Sequence, residues 1–119
     1  MTRRKQRTTA VSISLAAYER DVSVVCSAAD LVVSLPPASQ GTRGNRVTVL
    51  TGAASTGTGT SISPATGDKI QGTGITAADN KDLINTAATD AVGDAATLVC
   101  DGVDGWWIEN LIGTWARET

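Results

Sequence analysis

Apolar and polar residues alternate with a period of two along most of this chain. Val11, Ile13 and Leu15 are separated by Ser12 and Ser14, and Val22 and Val24 share one parity. Leu31, Val33 and Leu35 hold one face of a run that Pro36 and Pro37 stop. Successive side chains of an extended backbone point to opposite sides, so each run predicts a short strand. The loop ASQGTRGN follows, with Gly41, Gly44 and Asn45 suited to positive φ, and residues 46–50 (RVTVL) predict the next strand. Residues 51–60, TGAASTGTGT, predict a flexible or edge-exposed loop. Two short strands are expected around Ile62 and Ile70, joined by a turn over residues 64–68; Pro64 cannot donate to a ladder and confines the first to a strand end or a sheet edge. The only helix candidate is residues 77–88, where Thr76 or Asp79 would cap and Leu83 and Ala87 would share a face, with few apolar residues to support it.

The densest signal is C-terminal. Residues 93–115, GDAATLVCDGVDGWWIENLIGTW, read as a strand over 95–100, an Asp/Gly loop over 101–105, a returning strand over 106–111 and a Gly-turned stretch carrying Trp115. That loop length sets Cys100 opposite Trp106, Val99 opposite Trp107 and Leu98 opposite Ile108. One face then carries Leu98, Cys100, Trp106 and Ile108, and the other Thr97, Val99, Trp107 and Glu109. Neighbouring positions on one regular strand cannot both enter the same core. Trp106 and Trp115 are therefore expected in the core. Trp107, on the more polar face, is expected to be exposed or to anchor an interface.

These elements predict an all-β domain: a small β-sandwich or β-barrel of about seven to nine short strands, with at most one short helix. The length of 119 residues suits one domain, expected over residues 11–119 and preceded by a basic N-terminal arm over residues 1–10. The apolar residues are mainly Ala, Val, Leu and Ile; there is no Phe, and three Trp and one Tyr supply all the aromatic area, which makes for a thin core.

Net charge changes the picture more than composition does. Arg3, Arg4, Lys5 and Arg7 are four of the ten basic residues, so the rest of the chain sets six basic residues against all twelve acidic ones, a balance of −6. A basic arm on an acidic body reads either as a solvated chain end or as a segment that docks on an acidic surface; without interleaved aromatic residues it is a poor nucleic-acid signal. The arm does not lead into a signal peptide, and no stretch has the roughly 18 apolar residues of a membrane helix.

Histidine is absent, which removes Ser-His-Asp and Cys-His mechanisms and most zinc sites. Asp79 with Asp82, and Asp101 with Asp104, lie in turn-rich segments and read as residues that bond their own backbone. They lack the calcium-loop framework. The segment from Gly52 has phosphate-loop spacing without its Lys, and the segment from Gly72 matches a dinucleotide pattern without the βαβ context. Cys26 and Cys100 sit in apolar runs as small buried hydrophobes; a disulfide between them requires that their strands be neighbours, and nothing in the chain indicates an oxidising compartment. No catalytic residue, metal or cofactor is expected.

Taken in order, Leu35-Pro36-Pro37-Ala38, the RVTVL strand, Ile62-Ser63-Pro64 through Gly67-Asp68-Lys69-Ile70-Gln71-Gly72, Leu98-Val99-Cys100-Asp101-Gly102 with Trp106 and Ile108, and Gly113-Thr114-Trp115 resemble the modular β-structures of tailed-bacteriophage virions. The resemblance covers residues 31–115. A free-standing chain of this size is most similar to a capsid decoration, or head-stabilising, protein; a tail-fibre or tailspike module is the alternative. A carbohydrate-binding module using Trp107 as a stacking platform is a further one. The resemblance implies a non-enzymatic protein, often trimeric, on the outer capsid surface and partnered by the major capsid lattice. It also gives the interface set Arg3, Arg4, Lys5, Arg7 and Trp107 a role in attachment.

Overall fold

The structure is a computed structural model that describes residues 5–17, 19–40 and 43–119. Its strands are β1 (Lys5–Thr9), β2 (Ile13–Ser14), β3 (Val22–Cys26), β4 (Val32–Ser34), β5 (Arg46–Thr51), β6 (Ser61–Ser63), β7 (Lys69–Gln71), β8 (Leu83–Asn85), β9 (Ala95–Cys100), β10 (Gly105–Ile112) and β11 (Trp115–Arg117). The only helical element among the described residues is a 3-10 turn at Ala38–Gln40. The protein is thus all-β, as the alternation predicts. Its strands outnumber the expected seven to nine because several pieces of two or three residues each complete a ladder.

The strands form a six-stranded sheet, ordered β1-β3-β5-β9-β10-β7, and a five-stranded sheet, ordered β11-β8-β6-β4-β2. Consecutive strands alternate between the sheets, with β9–β10 as the single hairpin. From β1 to β6 the chain therefore winds as a flattened coil: β1, β3 and β5 pair in parallel in one sheet, and β2, β4 and β6 in the other. After β6 the direction changes. β9 runs antiparallel to β5, and β8 antiparallel to β6.

Register aligns the apolar positions in rows across each sheet. Val22, Val47, Leu98 and Ile108 form one row and Val24, Val49 and Ala96 another; Ile13, Val33, Ile62 and Leu83 face them from the second sheet. One apolar cluster spans both sheets. Stacked valines substitute for the missing phenylalanines, each contributing roughly 1.5–3 kcal/mol on burial. A buried polar bridge also ties the layers. Asn85 of β8 accepts from the Thr51 hydroxyl at 2.7 Å and donates to Asp94 at 3.2 Å and to the Thr114 carbonyl at 3.1 Å.

Three expectations are corrected. Residues 77–88 form no helix: Leu83 and Asn85 alternate with Ile84 in burial, and β8 completes ladders with β6 and β11 on its two sides. Leu83 thereby enters a core that a helix with one apolar stripe would not reach. Residues 51–60 are not a free loop, because two side chains hold them, as described below. In the first alternating run Leu15 is buried but Val11 is 65% exposed, so pairing starts only at Ile13.

Candidate functional site

The β9–β10 pair sets Cys100 opposite Trp106, Val99 opposite Trp107 and Leu98 opposite Ile108. Trp106 is wholly buried beside Leu98 and Cys100, with Ile70 of β7 as its partner across the other ladder. Ile108 packs half-buried on the same core. Trp115 is buried and donates its indole N–H to the Ile112 carbonyl at 3.0 Å. Trp107 points the other way and is 50% exposed.

Trp107 stands on the outer face of the six-stranded sheet, which the ladders order into rows. Arg46, Val99, Trp107 and Gln71 form one; Ser23, Thr48, Thr97 and Asn110 the next; Val25, Leu50, Ala95 and Ile112 the third. A β-bulge at Glu109 breaks the regular register, and its carboxylate grips Arg46 at 2.9 and 3.0 Å. The outer face therefore mixes aliphatic and uncharged polar residues around one aromatic anchor, with Arg46 and Glu109 paired at one end and Ile112 at 53% exposure.

The described residues of the expected basic interface set, Lys5 and Arg7, do not join this face. Arg3 and Arg4 lie outside the described residues. Lys5 and Arg7 belong to β1, four strands from β10, or roughly 19 Å at the usual strand spacing. They sit on the core side of the sheet, opposite Val22 and Val24. Arg7 closes the edge of the core by pairing with the buried carboxylate of Glu19 at 2.7 Å. Burial alone would raise the Glu19 pKa, but the Ala16 N–H and the Arg7 guanidinium outweigh it and hold the acid below its ordinary range. This inward pairing had no signal in the sequence, since neither β1 nor its partner was identifiable as a sheet margin.

The acidic pairs are consumed by structure. Asp101 accepts the N–H groups of Val103, Asp104 and Gly105, which lower its pKa against the opposing effect of burial. Lys69 bridges Asp104 at 2.8 Å and Asp79 at 3.5 Å, while burial raises the pKa of Asp82. Asp79 and Asp82 thus serve different partners. Among the described residues no three Cys, Asp or Glu side chains gather as metal ligands.

The Gly-rich loop over 52–60 does cradle an anion, and that anion is the protein's own. Asp30, on the β3–β4 turn, accepts from Gly59 N–H at 2.9 Å and from the Thr56 N–H and hydroxyl at 3.2 and 2.9 Å. Asp90 accepts from both the N–H and the hydroxyl of Ser55. The second Gly-rich stretch is a tight turn in which Gly72 and Ile75 bond each other's main chain. An added Cβ on Gly72 would lie 2.7 Å from Ile108 Cβ, so close packing explains the glycine.

Cys26 and Cys100 are free and buried. Cys26 pairs with Thr51 at one end of β5, whereas Cys100 bonds Asn45 just beyond the other, so their separation rules out a disulfide. Burial pushes the Cys26 thiol up to about 11, far from a reactive thiolate. A shallow notch between Gly74–Thr76 and β11 has Arg117 as its one charged lining residue, already donating to the Thr76 carbonyl at 2.9 Å. Among the described residues no helix is long and apolar enough to cross a membrane. No protein-family profile matches the chain, and no curated protein matches it.

Proposed function

We propose that this chain is a non-enzymatic structural component of a tailed-phage virion, a decoration protein that binds the outer capsid surface and stabilises the head. The observation that carries the reading is the outer face of the six-stranded sheet. A chain with only three tryptophans places one of them half exposed on β10, one strand in from the β7 margin of a broad sheet face, an arrangement that an interface would stabilise. The order of motifs over residues 31–115 supports the same assignment. Carboxylates spent on turns, ion pairs and a loop latch suit a structural part better than a catalyst. In this reading the sheet face around Trp107, with Val99, Leu50 and Ile112, meets the major capsid lattice or the other copies of a trimer. Lys5, exposed on β1, adds positive charge at the sheet margin.

The test is addition of the purified protein to capsids lacking a decoration protein. Wild type is expected to co-sediment with the particles and raise their disruption temperature, and a folded Trp107→Ala variant to do neither. Equal binding by the two would overturn the assignment of this face. The exposed indole also favours a second reading, a stacking platform for a sugar ring. Binding to a glycan array that Trp107→Ala abolishes, without capsid binding, would select it.

A further inference from the structure

Among the described strands only two large apolar side chains stay exposed, Trp107 at 50% and Ile112 at 53%, and both belong to β10. Five residues apart, they would point to opposite faces of an unbroken strand. The bulge at Glu109 adds one residue between them, so Trp107 lies opposite Val99 and Ile112 opposite Ala95, both on the outer face. Four positions of β9 separate the two contacts, or roughly 13 Å. Midway between them runs a polar row of Gln6, Ser23, Thr48, Thr97 and Asn110, in which the Thr48 and Thr97 hydroxyls bond each other at 3.0 Å.

A face laid out in this way matches its own copy. A two-fold axis along the polar row, parallel to the sheet, keeps each strand in place and exchanges the two ends of every strand. It sets polar row on polar row and Trp107 over the partner's Ala95 and Ile112, with the reciprocal contact formed equally. Ala95 is the smallest residue of its row, between Leu50 and Ile112, and leaves the hollow that a protruding indole needs. The strands of the two sheets stay aligned, as in ordinary sheet-on-sheet packing. Charge permits the contact too. Arg46 is matched by Glu109, and the axis carries the partner's pair to the opposite end of the face, so like charges are not opposed. At the β7 margin Lys69 is matched by Asp104 and Asp79. Six strands at about 4.8 Å spacing, with about six residues each, cover roughly 600 Å². Two such faces reach about 1,200 Å² together, the lower bound of a stable specific interface, which fits a dimer that dissociates in the micromolar range.

We propose that the outer face of the six-stranded sheet packs on the same face of a second copy, about a two-fold axis along the Thr48–Thr97 row, with each Trp107 seated on the partner's Ala95 and Ile112. The proposal rests on the reading of this face as an interface and names its occupant as one further copy.

The test is sedimentation equilibrium of the full chain across the micromolar range. Wild type is expected to pass from monomer to dimer, and no further, as its concentration rises. Trp107→Lys and Ile112→Glu each set a charge against an apolar residue of the partner, and each is expected to weaken self-association at least tenfold. An equimolar mixture of the two is expected to dimerise in a salt-weakened manner, because the new cation then faces the new carboxylate at one contact while the other keeps Trp107 on Ile112. A monomeric wild type, a trimer, an unchanged affinity in either folded variant, or a mixture that associates no better than its parts would each overturn the proposal. Should a variant fail to fold, the concentration-dependent nuclear magnetic resonance shifts of wild type decide: movement of the Trp107 indole and Ile112 methyl signals sustains it, and movement confined to other surfaces sinks it. A monomer that still binds capsids through Trp107 sinks this proposal and spares the virion reading; a dimer that ignores capsids does the opposite.

Discussion

Replacing each of the adjacent tryptophans of β10 by alanine separates core from surface on one strand. Trp106 is wholly buried. Its removal leaves a cavity that stacked valines cannot collapse to fill, and large-to-small changes of this kind cost about 3–5 kcal/mol. Trp107 keeps half its surface in water. A tryptophan can bury about 150–250 Å², so half of that at ~25 cal/mol/Å² sets an upper bound of about 2–3 kcal/mol. The true loss is smaller, because alanine retains part of the contact and the unfolded chain is already partly collapsed. Against a total stability of roughly 5–15 kcal/mol, Trp106→Ala is expected to leave a marginal fold and Trp107→Ala a sound one. Urea unfolding followed by far-UV circular dichroism at low protein concentration reads both, provided the slopes agree. Raising the concentration tests the interface too, since a residue shared between copies stabilises by mass action. A Trp107→Ala cost equal to that of Trp106→Ala at every concentration would refute the division of the strand into a core face and an open face.

Two further outcomes follow from the loops. Gly113 has a φ of 92°, and an added Cβ would lie 2.3 Å from Asp94 Cγ, whereas Gly93, at 102°, has open space around it. Gly93→Ala is expected to cost about 1–2 kcal/mol of left-handed backbone strain, and Gly113→Ala clearly more, because Asp94 must leave Asn85; equal urea midpoints for the two variants would contradict this. For Asp30, the Gly59 N–H leads the effects that depress its pKa. A depressed folded-state pKa gives a contribution fully present above the ordinary carboxylate range and lost as pH falls through the folded value. Protection factors at Thr56, Gly57 and Gly59, taken against the intrinsic exchange rate at each pH, are therefore expected to fall below that range in wild type and to be low and independent of pH in Asp30→Asn. A flat profile in both proteins would exclude the latch.

Most strands were legible because alternation records which side of a strand is buried; β1, with no apolar residue in KQRTT, reads as part of the arm, and β8 as part of a helix. The β9–β10 register was legible for an added reason: a loop of fixed length between two runs counts off the facing residues. Alternation says nothing about which strand lies alongside, however, so the parallel coil from β1 to β6 left no trace in the pattern. The same blindness hid the role of Lys5 and Arg7. Whether a cation waves in solvent or plugs a sheet margin depends on Glu19, brought beside it only by the β1–β3 pairing. Residues 52–60 misled because small polar composition reports the absence of a core face, not the absence of partners. Those partners, Asp30 and Asp90, come from turns on either side of it in sequence. At residues 77–88, Leu83 and Asn85 fitted a strand as well as Leu83 and Ala87 fitted a helix; the open edge of β6 decided between them.

That consecutive strands alternate between sheets, with one hairpin as the exception, also sets the order in which the molecule can assemble. β9 and β10 are joined by a short loop and can meet within microseconds, whereas β5, paired in parallel with β3, must wait for its antiparallel partner about fifty residues further along the chain. On the ribosome β1, β3 and β5 emerge first, and they find no antiparallel neighbour until β9 is made. The β9–β10 hairpin is thus the part on which the fold closes, and a nascent chain truncated before Gly93 holds several strand edges with nothing to cover them.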